Sequence, residues 1–306
     1  MLNFTKRKLG LVSVLSLSLV AAGCGSGDDS SSGNSEGESE TSVSEEVEHT
    51  IVGIEPGAGA TVATEETVET YDSLNGWEHE QSSTAAMLTS LGDAIEEEEP
   101  IVVVGWSPHY MFAKWDLKYL EDPEGSYGGS EQITTLARTG FEEENTGAYQ
   151  ILERIGWDIS TLEDLMLQAQ DASVEEVAQS WIDDNQDKVD EWLADAPEGD
   201  GATVDLVLTP WDSERLTGNM AKLALEQHGY EVNLTPVDPA IVFESVATGD
   251  SDATLAAWLP KTHGSFYEEH KENLVKVNEA IDGAKIGLAV PEYMDIESIE
   301  DLEAAE

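Results

Sequence analysis

The sequence of 306 residues has little positive charge and almost no cysteine. It contains 14 Lys and Arg against 64 Asp and Glu, a formal net charge of −50 at pH 7. Such a charge repels phosphate, so it excludes nucleic acid as a partner, and it argues against electrostatic docking onto anionic lipid. The single cysteine excludes an intramolecular disulfide framework and any metal site built from several cysteines.

The sequence also lacks an apolar run long enough to cross a membrane as a stable helix. Its main apolar stretch, Leu9–Val20, follows three basic residues and precedes Cys24, the only cysteine. This order predicts an export signal over residues 1–23. The small residues before Cys24 resemble a bacterial lipobox, which implies that this cysteine is lipidated. An ordinary secretory signal with an incidental cysteine is the alternative.

Residues 24–50 are rich in Ser, Gly, Asp and Glu and have almost no large apolar side chains. Because such a segment cannot bury enough surface to fold, we expect it to be a disordered acidic tether. Together with a lipid on Cys24, it predicts a module anchored at the outer face of the cell membrane.

The acidic excess further indicates a saline environment. Self-repulsion destabilises a compact body at low salt, whereas at 1 M salt the Debye length is only about 3 Å and the repulsion is screened. An ordinary acidic secreted protein is the alternative.

Beyond residue 50, short apolar runs alternate with amphipathic stretches, which predicts an α/β fold with parallel sheets. The predicted strands are His49–Ile54, Ile101–Gly105, Val204–Leu208, Glu231–Pro236, Ala253–Trp258 and Lys285–Val290. The predicted helices are Ala63–Tyr71, Ala85–Ile95, Met111–Leu120, Gly147–Ile155, Thr161–Gln170, Val174–Asp184, Gln186–Ala194, Glu214–His228, Pro239–Thr248 and Ser265–Glu272. A polar loop, Asp195–Gly201, divides the body into 51–196 and 202–306.

Three of the eight tryptophans, Trp106, Trp211 and Trp258, stand at the C-terminal ends of predicted strands. Ligands of open α/β sheets bind outside these strand ends, so we expect the three indoles to line a site. The alternative is that they only close the ends of the core. Aromatic walls suit either stacking on sugars or an aromatic cage for a quaternary ammonium group. A cage without carboxylates would also avoid recruiting Na⁺ in brine.

A second candidate element is the small-residue stretch Gly57–Ala60, between a predicted strand and a predicted helix. Its backbone N–H groups can approach an anion, aided by the helix N-terminus, although the signal is weak alone. Near the tryptophans, His109 and His263 are potential donors to a ligand carboxylate. Neither has other metal-binding side chains at a suitable spacing in the sequence, so we predict no metal site and no cofactor.

Five stretches of the sequence carry a family resemblance. They are IVGIEPGAGA (51–60), GWSPHYMFAKWDLKYLEDPEGSYG (105–128), PWDSERLTGNMAKLALEQHGYEV (210–232), AAWLPKTHGSFY (256–267) and AKIGLAVPEYM (284–294). Together they resemble the substrate-binding lipoproteins of glycine betaine ABC importers of the Gram-positive type, in the permuted segment order.

The resemblance implies a two-lobed periplasmic-binding-protein fold of type II, cluster-C-like, in which each lobe is a mostly parallel sheet flanked by helices and the ligand lies in the interlobe cleft. Lobe A would combine 51–106 with 286–306, and lobe B would span 107–285. In this family, three tryptophans cage the trimethylammonium group, and two backbone amides and a histidine hold the carboxylate. Aligned on the motifs, these residues are Trp106, Trp211, Trp258, Gly59, Ala60 and His263. The resemblance gives His109 a structural role.

The resemblance therefore implies a binding protein that is not an enzyme and that captures glycine betaine or a related betaine for an ABC permease and ATPase. A binding protein for choline or carnitine is one alternative, and a surface sensor or adhesion module is another. A secreted carbohydrate-active enzyme is less favoured, because it needs two carboxylates facing each other across a cleft. The acids nearest the tryptophans, Asp212 and Glu214, are interpreted as helix-start residues.

Overall fold

The computed structural model describes residues 42–305. The predicted export signal, Cys24 and the predicted tether up to residue 41 lie outside the described residues. Among the helices of residues 42–305, none combines the length and the apolar character needed to span a membrane.

Twelve α-helices and nine β-strands are formed within the described range. The helices are Val43–Glu46 (α1), Gly59–Thr70 (α2), Thr84–Glu97 (α3), Met111–Lys114 (α4), Phe141–Glu144 (α5), Thr146–Arg154 (α6), Ile159–Gln168 (α7), Val174–Asp184 (α8), Gln186–Leu193 (α9), Asp212–Gln227 (α10), Pro239–Thr248 (α11) and Gly264–His270 (α12). The strands are Thr50–Val52 (β1), Glu78–Glu80 (β2), Val102–Ser107 (β3), Leu117–Tyr119 (β4), Glu131–Arg138 (β5), Thr203–Leu208 (β6), Glu231–Pro236 (β7), Ala253–Leu259 (β8) and Leu274–Pro291 (β9).

The folded body begins earlier than the sequence indicates. Ser42 and Glu45 form a capping box at the start of α1, because each side chain accepts a hydrogen bond from the other residue's backbone N–H. The buried hydroxyl of Ser44 accepts a hydrogen bond from the N–H of Glu303 at 2.8 Å. The prediction that the tether extends to residue 50 is therefore wrong for residues 42–50, which are tied to the C-terminal segment.

The strands form a continuous curved arrangement in the order β2-β1-β3-β9-β5-β8-β6-β7, with β4 also paired to β9. Parallel pairs join β1 to β2 and β3, and β6 to β7 and β8, whereas every pairing of β5 and β9 is antiparallel. The α/β class is confirmed, but the sheet is mixed rather than mostly parallel. The reason is that β5 and β9, the antiparallel strands, lie in the middle of the strand order.

The long strand β9 divides the arrangement into two halves. Ala284 pairs with Glu131 of β5, and the next residue, Lys285, pairs with Ser107 of β3. We call β1–β4 with residues 285–291 the first half, and β5–β8 with residues 274–284 the second half. Since β4 pairs with β9 in the first half, the chain stays in the first half beyond residue 106, where the change of lobe was expected. The chain passes to the second half between β4 and β5.

Local sequence signals explain why several elements match their predicted bounds. Helix α8 begins with a capping box between Ser173 and Glu176. Helix α11 has Pro239 in its first turn and ends at Gly249, whose φ of +83° is a left-handed conformation that favours glycine. Both helices have the predicted bounds. By contrast, the predicted helix Met111–Leu120 is only one turn, α4, followed by β4.

The core forms one large cluster and one smaller cluster. The large cluster includes strand residues of both halves and the tryptophans of the helical stretch α6–α9, where Trp181 stacks on Trp192 at 5.6 Å. The smaller cluster packs α11 on the second half, through Val242, Phe243 and Val246. Packing within these clusters therefore fixes the positions of the strand ends that carry the candidate site.

Candidate functional site

The three tryptophans singled out in the sequence come together at one cavity. Trp106 precedes the last residue of β3, Trp211 is the N-cap of α10 just after β6, and Trp258 lies near the end of β8. Trp106 and Trp258 are buried and Trp211 is half-buried. The partly open cavity is lined by Ile54, Ala58, Gly59, Ala60, Trp106, Trp211, Glu214, Trp258, Thr262, His263 and Ile286. All six predicted site residues are among these.

A larger cleft of about 1250 Å³ adjoins the cavity and shares Ala58, Trp106 and Trp211 with it. One wall of the cleft comes from α3 and the segment before α2, and the opposite wall comes from the starts of α10 and α11. The cleft therefore lies between elements of the first and second halves.

The first turn of α2 presents backbone donors to the cavity. Gly59 and Ala60 are the first two residues of this helix, and the N-cap residue Ala58 has no side chain that can cap them. The first N–H groups of a helix have no intrahelical acceptor and lie at the positive end of the helix dipole. Together with the burial of both residues, this makes the turn suited to hold an anion.

His263 faces the cavity from the segment after β8. Its Nδ1 accepts a hydrogen bond from the N–H of Trp258 at 3.1 Å, and the Ala256 carbonyl oxygen lies 3.2 Å from the same nitrogen. The backbone fixes the direction of the Trp258 N–H, so Nδ1 is the acceptor and the ring proton is on Nε2. Burial lowers the pKa of His263 to about 4, so the imidazole is neutral at pH 7 with one N–H to donate.

Sequence reasoning missed Glu214, which is not merely a helix-start residue. Only 2% of it is exposed, and it lines the cavity beside the tryptophans. Its Oε1 accepts a hydrogen bond from Trp258 Nε1–H at 2.8 Å. The expectation of a cage without carboxylates is therefore wrong. A sequence signal was present, because the three- and four-residue spacing of buried positions in α10, such as Thr217 and Ala221, extends back to Glu214.

Glu131, at the start of β5, is a second buried acid that sequence reasoning missed. Its Oε1 accepts hydrogen bonds from the N–H groups of Lys261 and Thr262 at 2.7 and 2.9 Å, and its Oε2 accepts one from the Thr262 hydroxyl. These bonds fix the segment that carries His263. No motif marks this pairing, because the partners are 130 residues apart in the chain.

His109 lines the adjoining cleft but not the cavity. It is buried, its ring centroid is 4.5 Å from that of Trp106, and its Nδ1 accepts a hydrogen bond from the N–H of Met111 at 3.2 Å. Burial lowers the pKa of His109 to about 3, so it is neutral. These contacts place the neutral imidazole against Trp106, and its structural role stays a prediction. Across residues 42–305, no three His, Cys, Asp or Glu side chains are grouped to hold a metal ion.

Comparison with known proteins identifies the family. Residues 34–184 and 202–306 match the model of the substrate-binding domain of ABC-type glycine betaine transport systems. A glycine betaine/carnitine transport binding protein of Listeria monocytogenes is 40% identical over 266 residues, which cover 86% of this chain and 89% of the relative. The chain belongs to this family of substrate-binding proteins. It is thus the substrate-binding component of an ABC transporter of the glycine betaine type, a binding protein rather than an enzyme, and it works outside the cytoplasm.

Solved structures with partial similarity include two binding proteins. A lactococcal protein in a closed conformation with glycine betaine is 46% identical, with a TM-score of 0.47 and coverage of 49% of this chain and 59% of that chain. A glycine betaine/L-proline-binding protein from Borrelia burgdorferi is 29% identical, with a TM-score of 0.46 and coverage of 49% and 58%. The aligned parts thus span less than two thirds of either chain.

Proposed function

We propose that this protein captures glycine betaine, or a closely related betaine, and delivers it to an ABC permease and ATPase. The observation that carries the proposal is that three indoles and an uncapped helix N-terminus line the same cavity. A betaine carries a permanent cation at one end and a carboxylate at the other. The indole wall suits the cation, and the helix N-terminus suits the carboxylate.

In the proposed complex, Trp106, Trp211 and Trp258 surround the trimethylammonium group. Indole is the best aromatic partner for a cation, and each contact contributes about 0.5–2 kcal/mol. Micromolar affinity requires about 8 kcal/mol, so the cage alone is insufficient. Hydrogen bonds to the carboxylate and burial of the ligand have to supply the remainder.

The carboxylate is proposed to accept hydrogen bonds from the backbone N–H groups of Gly59 and Ala60 and from Nε2–H of His263. Support comes from the missing side-chain cap on α2 and from the neutral state of His263. Because the amide donors belong to the backbone, Ala60 serves as well as a bulkier residue. Choline lacks the carboxylate and would leave these donors unpaired, which disfavours it.

Carnitine remains a second candidate ligand, because the Listeria relative is described as a glycine betaine/carnitine binding protein. Carnitine has the same two charged groups, joined by a longer chain with a hydroxyl. The adjoining cleft of about 1250 Å³ gives room for this extension.

We further propose that the first and second halves act as the two lobes, and that they close over the ligand. The lobe boundaries then follow the strand pairings described above. Lipidation of Cys24 would anchor the chain to the outer face of the cell membrane, with residues 24–41 as the acidic tether. Mass spectrometry of the membrane fraction tests this anchor, and an unmodified Cys24 contradicts it.

A calorimetric titration of glycine betaine, carnitine, proline betaine and choline at high salt tests the proposed function. We expect glycine betaine to bind at micromolar concentration or better, and Trp258→Ala to weaken it at least tenfold. Trp77→Phe is the matched control, because Trp77 is a buried indole outside the cavity that bonds to the Glu303 carbonyl. Unchanged affinity in Trp258→Ala contradicts the cage.

A further inference from the structure

The buried carboxylate of Glu214 has no basic partner among residues 42–305. Its two oxygens accept hydrogen bonds from neutral groups, namely Trp258 Nε1–H at 2.8 Å, the Ser213 hydroxyl at 2.5 Å and the backbone N–H of Glu214 itself. An ionised carboxylate is costly to bury unless a positive charge compensates it. A buried acid with neutral partners, at the wall of a cavity, therefore points to a cation that occupies the cavity itself.

The other residues that line the cavity support the inference that a cation occupies it. The segment before α2 and the start of α2 contribute Ile54, Ala58, Gly59 and Ala60, β9 contributes Ile286, and Thr262 is neutral. His263, the other titratable group in the lining, is neutral above its pKa of about 4. Glu214 is thus the residue that can give this wall a full negative charge.

The hydrogen bond to Trp258 gives Glu214 a second route to the ligand. A carboxylate that accepts the indole N–H pushes electron density into the ring. The negative face of the indole, which attracts a cation, is then strengthened. The charge and the hydrogen bond act in the same direction, and the hydrogen bond also fixes the orientation of the ring.

We propose that Glu214 is the counter-charge of the quaternary ammonium site and determines specificity for a cationic head group over an uncharged one of the same shape. This inference rests on the proposed function, because it assumes that the trimethylammonium group lies in the cage. It adds that the cage is anionic as well as aromatic.

The test compares ligands that differ only in the charge of the head. Glycine betaine and 3,3-dimethylbutanoate have the same shape, but the second has carbon in place of nitrogen. In Glu214→Gln, the amide oxygen still accepts the Trp258 N–H and the charge is lost. We expect the ratio of the two affinities, betaine to 3,3-dimethylbutanoate, to fall at least tenfold. Glu226→Gln is the matched control, since it removes one exposed charge at the other end of α10.

A proportional loss of affinity for both ligands in Glu214→Gln overturns the proposal, because it indicates a purely structural role. Tetramethylammonium serves as a third ligand, since it has no carboxylate and reports on the cage alone. Its binding by the wild type and loss in Glu214→Gln support the role of Glu214 even if glycine betaine does not bind, which separates this inference from the proposed function. A wild type that binds none of these cations contradicts both.

Proton exchange gives a readout that does not require the variant to fold. Burial raises the pKa of Glu214, and the nearby charge of Asp212 acts in the same direction, so the protonated form is favoured as the pH falls. A bound cation favours the ionised form. We expect proton release on betaine binding at pH 5, measured by calorimetry in buffers of different ionisation enthalpy. Binding at pH 5 without proton release overturns the proposal.

Discussion

Gly59 and Thr262 approach so closely that no side chain fits between them. A Cβ atom added at Gly59 would lie 2.4 Å from Thr262 Cγ2 and 2.7 Å from the Thr262 carbonyl oxygen. Gly59 begins α2, which precedes β2 and β3 of the first half, and Thr262 follows β8 of the second half. This contact sets the proposed amide donors next to the segment that carries His263.

We expect Gly59→Ala to weaken betaine binding at least tenfold, because the added methyl group pushes the Thr262 segment away from α2. Gly264→Ala is the control, since a Cβ at that position meets no atom within 4 Å. Titration calorimetry on both variants measures the difference. Equal affinities would show that the two segments can separate without cost to the site.

Glu131→Gln is expected to lower both stability and ligand affinity. Glu131 is 1% exposed and accepts three hydrogen bonds from Lys261 and Thr262. An amide retains one acceptor and places N–H groups against N–H groups, which costs roughly 2 kcal/mol of unfolding free energy. Denaturant unfolding measures this loss.

The matched control for Glu131→Gln is Glu144→Gln. Glu144 pairs with Arg138 but its side chain is 65% exposed, so its loss changes stability by about 0.5 kcal/mol or less. Comparable losses in the two variants would contradict a special role for the buried acid.

Acid is expected to destabilise the protein through its buried histidines. Burial lowers the pKa of His263 from 6.5 to about 4. As the pH falls from 7 to 4, the unfolded chain takes up a proton at this residue and the folded protein does not. Stability from His263 is therefore complete above about pH 7 and is lost toward pH 4, with a total on the order of 3 kcal/mol.

Urea unfolding of the wild type and His263→Gln at several pH values isolates this contribution. The comparison is needed because the pKa of a buried acid such as Glu214 is raised, so its contribution to stability grows as the pH falls. The advantage of the wild type over the variant should shrink as the pH falls from 7 to 4.5. Parallel curves for wild type and His263→Gln would refute the prediction.

Salt is expected to stabilise the protein, because its net charge is −50. Raising the ionic strength from 0.1 M to 1 M shortens the Debye length from about 10 Å to about 3 Å, which screens the self-repulsion. We expect the melting temperature to rise by roughly 5 °C or more. Equal effects of NaCl and KCl would indicate screening rather than a specific ion site, and full stability in dilute buffer would contradict the hypothesis of a saline environment.

The sequence predicted elements best where the signals are local. Strand β7 and helices α8 and α11 have their predicted bounds, because alternation, caps and turn residues lie within the segments themselves. Strand β5 was missed, since its burial is almost continuous while its residues include Glu131, Gln132, Thr134 and Thr135. Its strand state depends on pairing with β8 and β9, which are far away in the chain.

The same contrast between local signals and long-range contacts applies to the candidate site. The three tryptophans were singled out because strand ends are readable from the sequence, whereas Gly59 and Ala60 were assigned through the family resemblance, since the small-residue stretch Gly57–Ala60 is only a weak signal. Glu214 and Glu131 were not found, since acids are abundant here and only burial distinguishes these two from the rest. The order of strands in space also required β9, of which only residues 285–290 had been predicted.

Strand β9 runs unbroken through both halves, and Gly283, with φ +87°, lies beside the point where its partners change. Any rotation of one half relative to the other must twist this strand about its own axis. Besides the loop between β4 and β5, the two halves are therefore joined by a hydrogen-bonded strand that resists twisting. Its restoring torque would oppose capture and help eject the ligand.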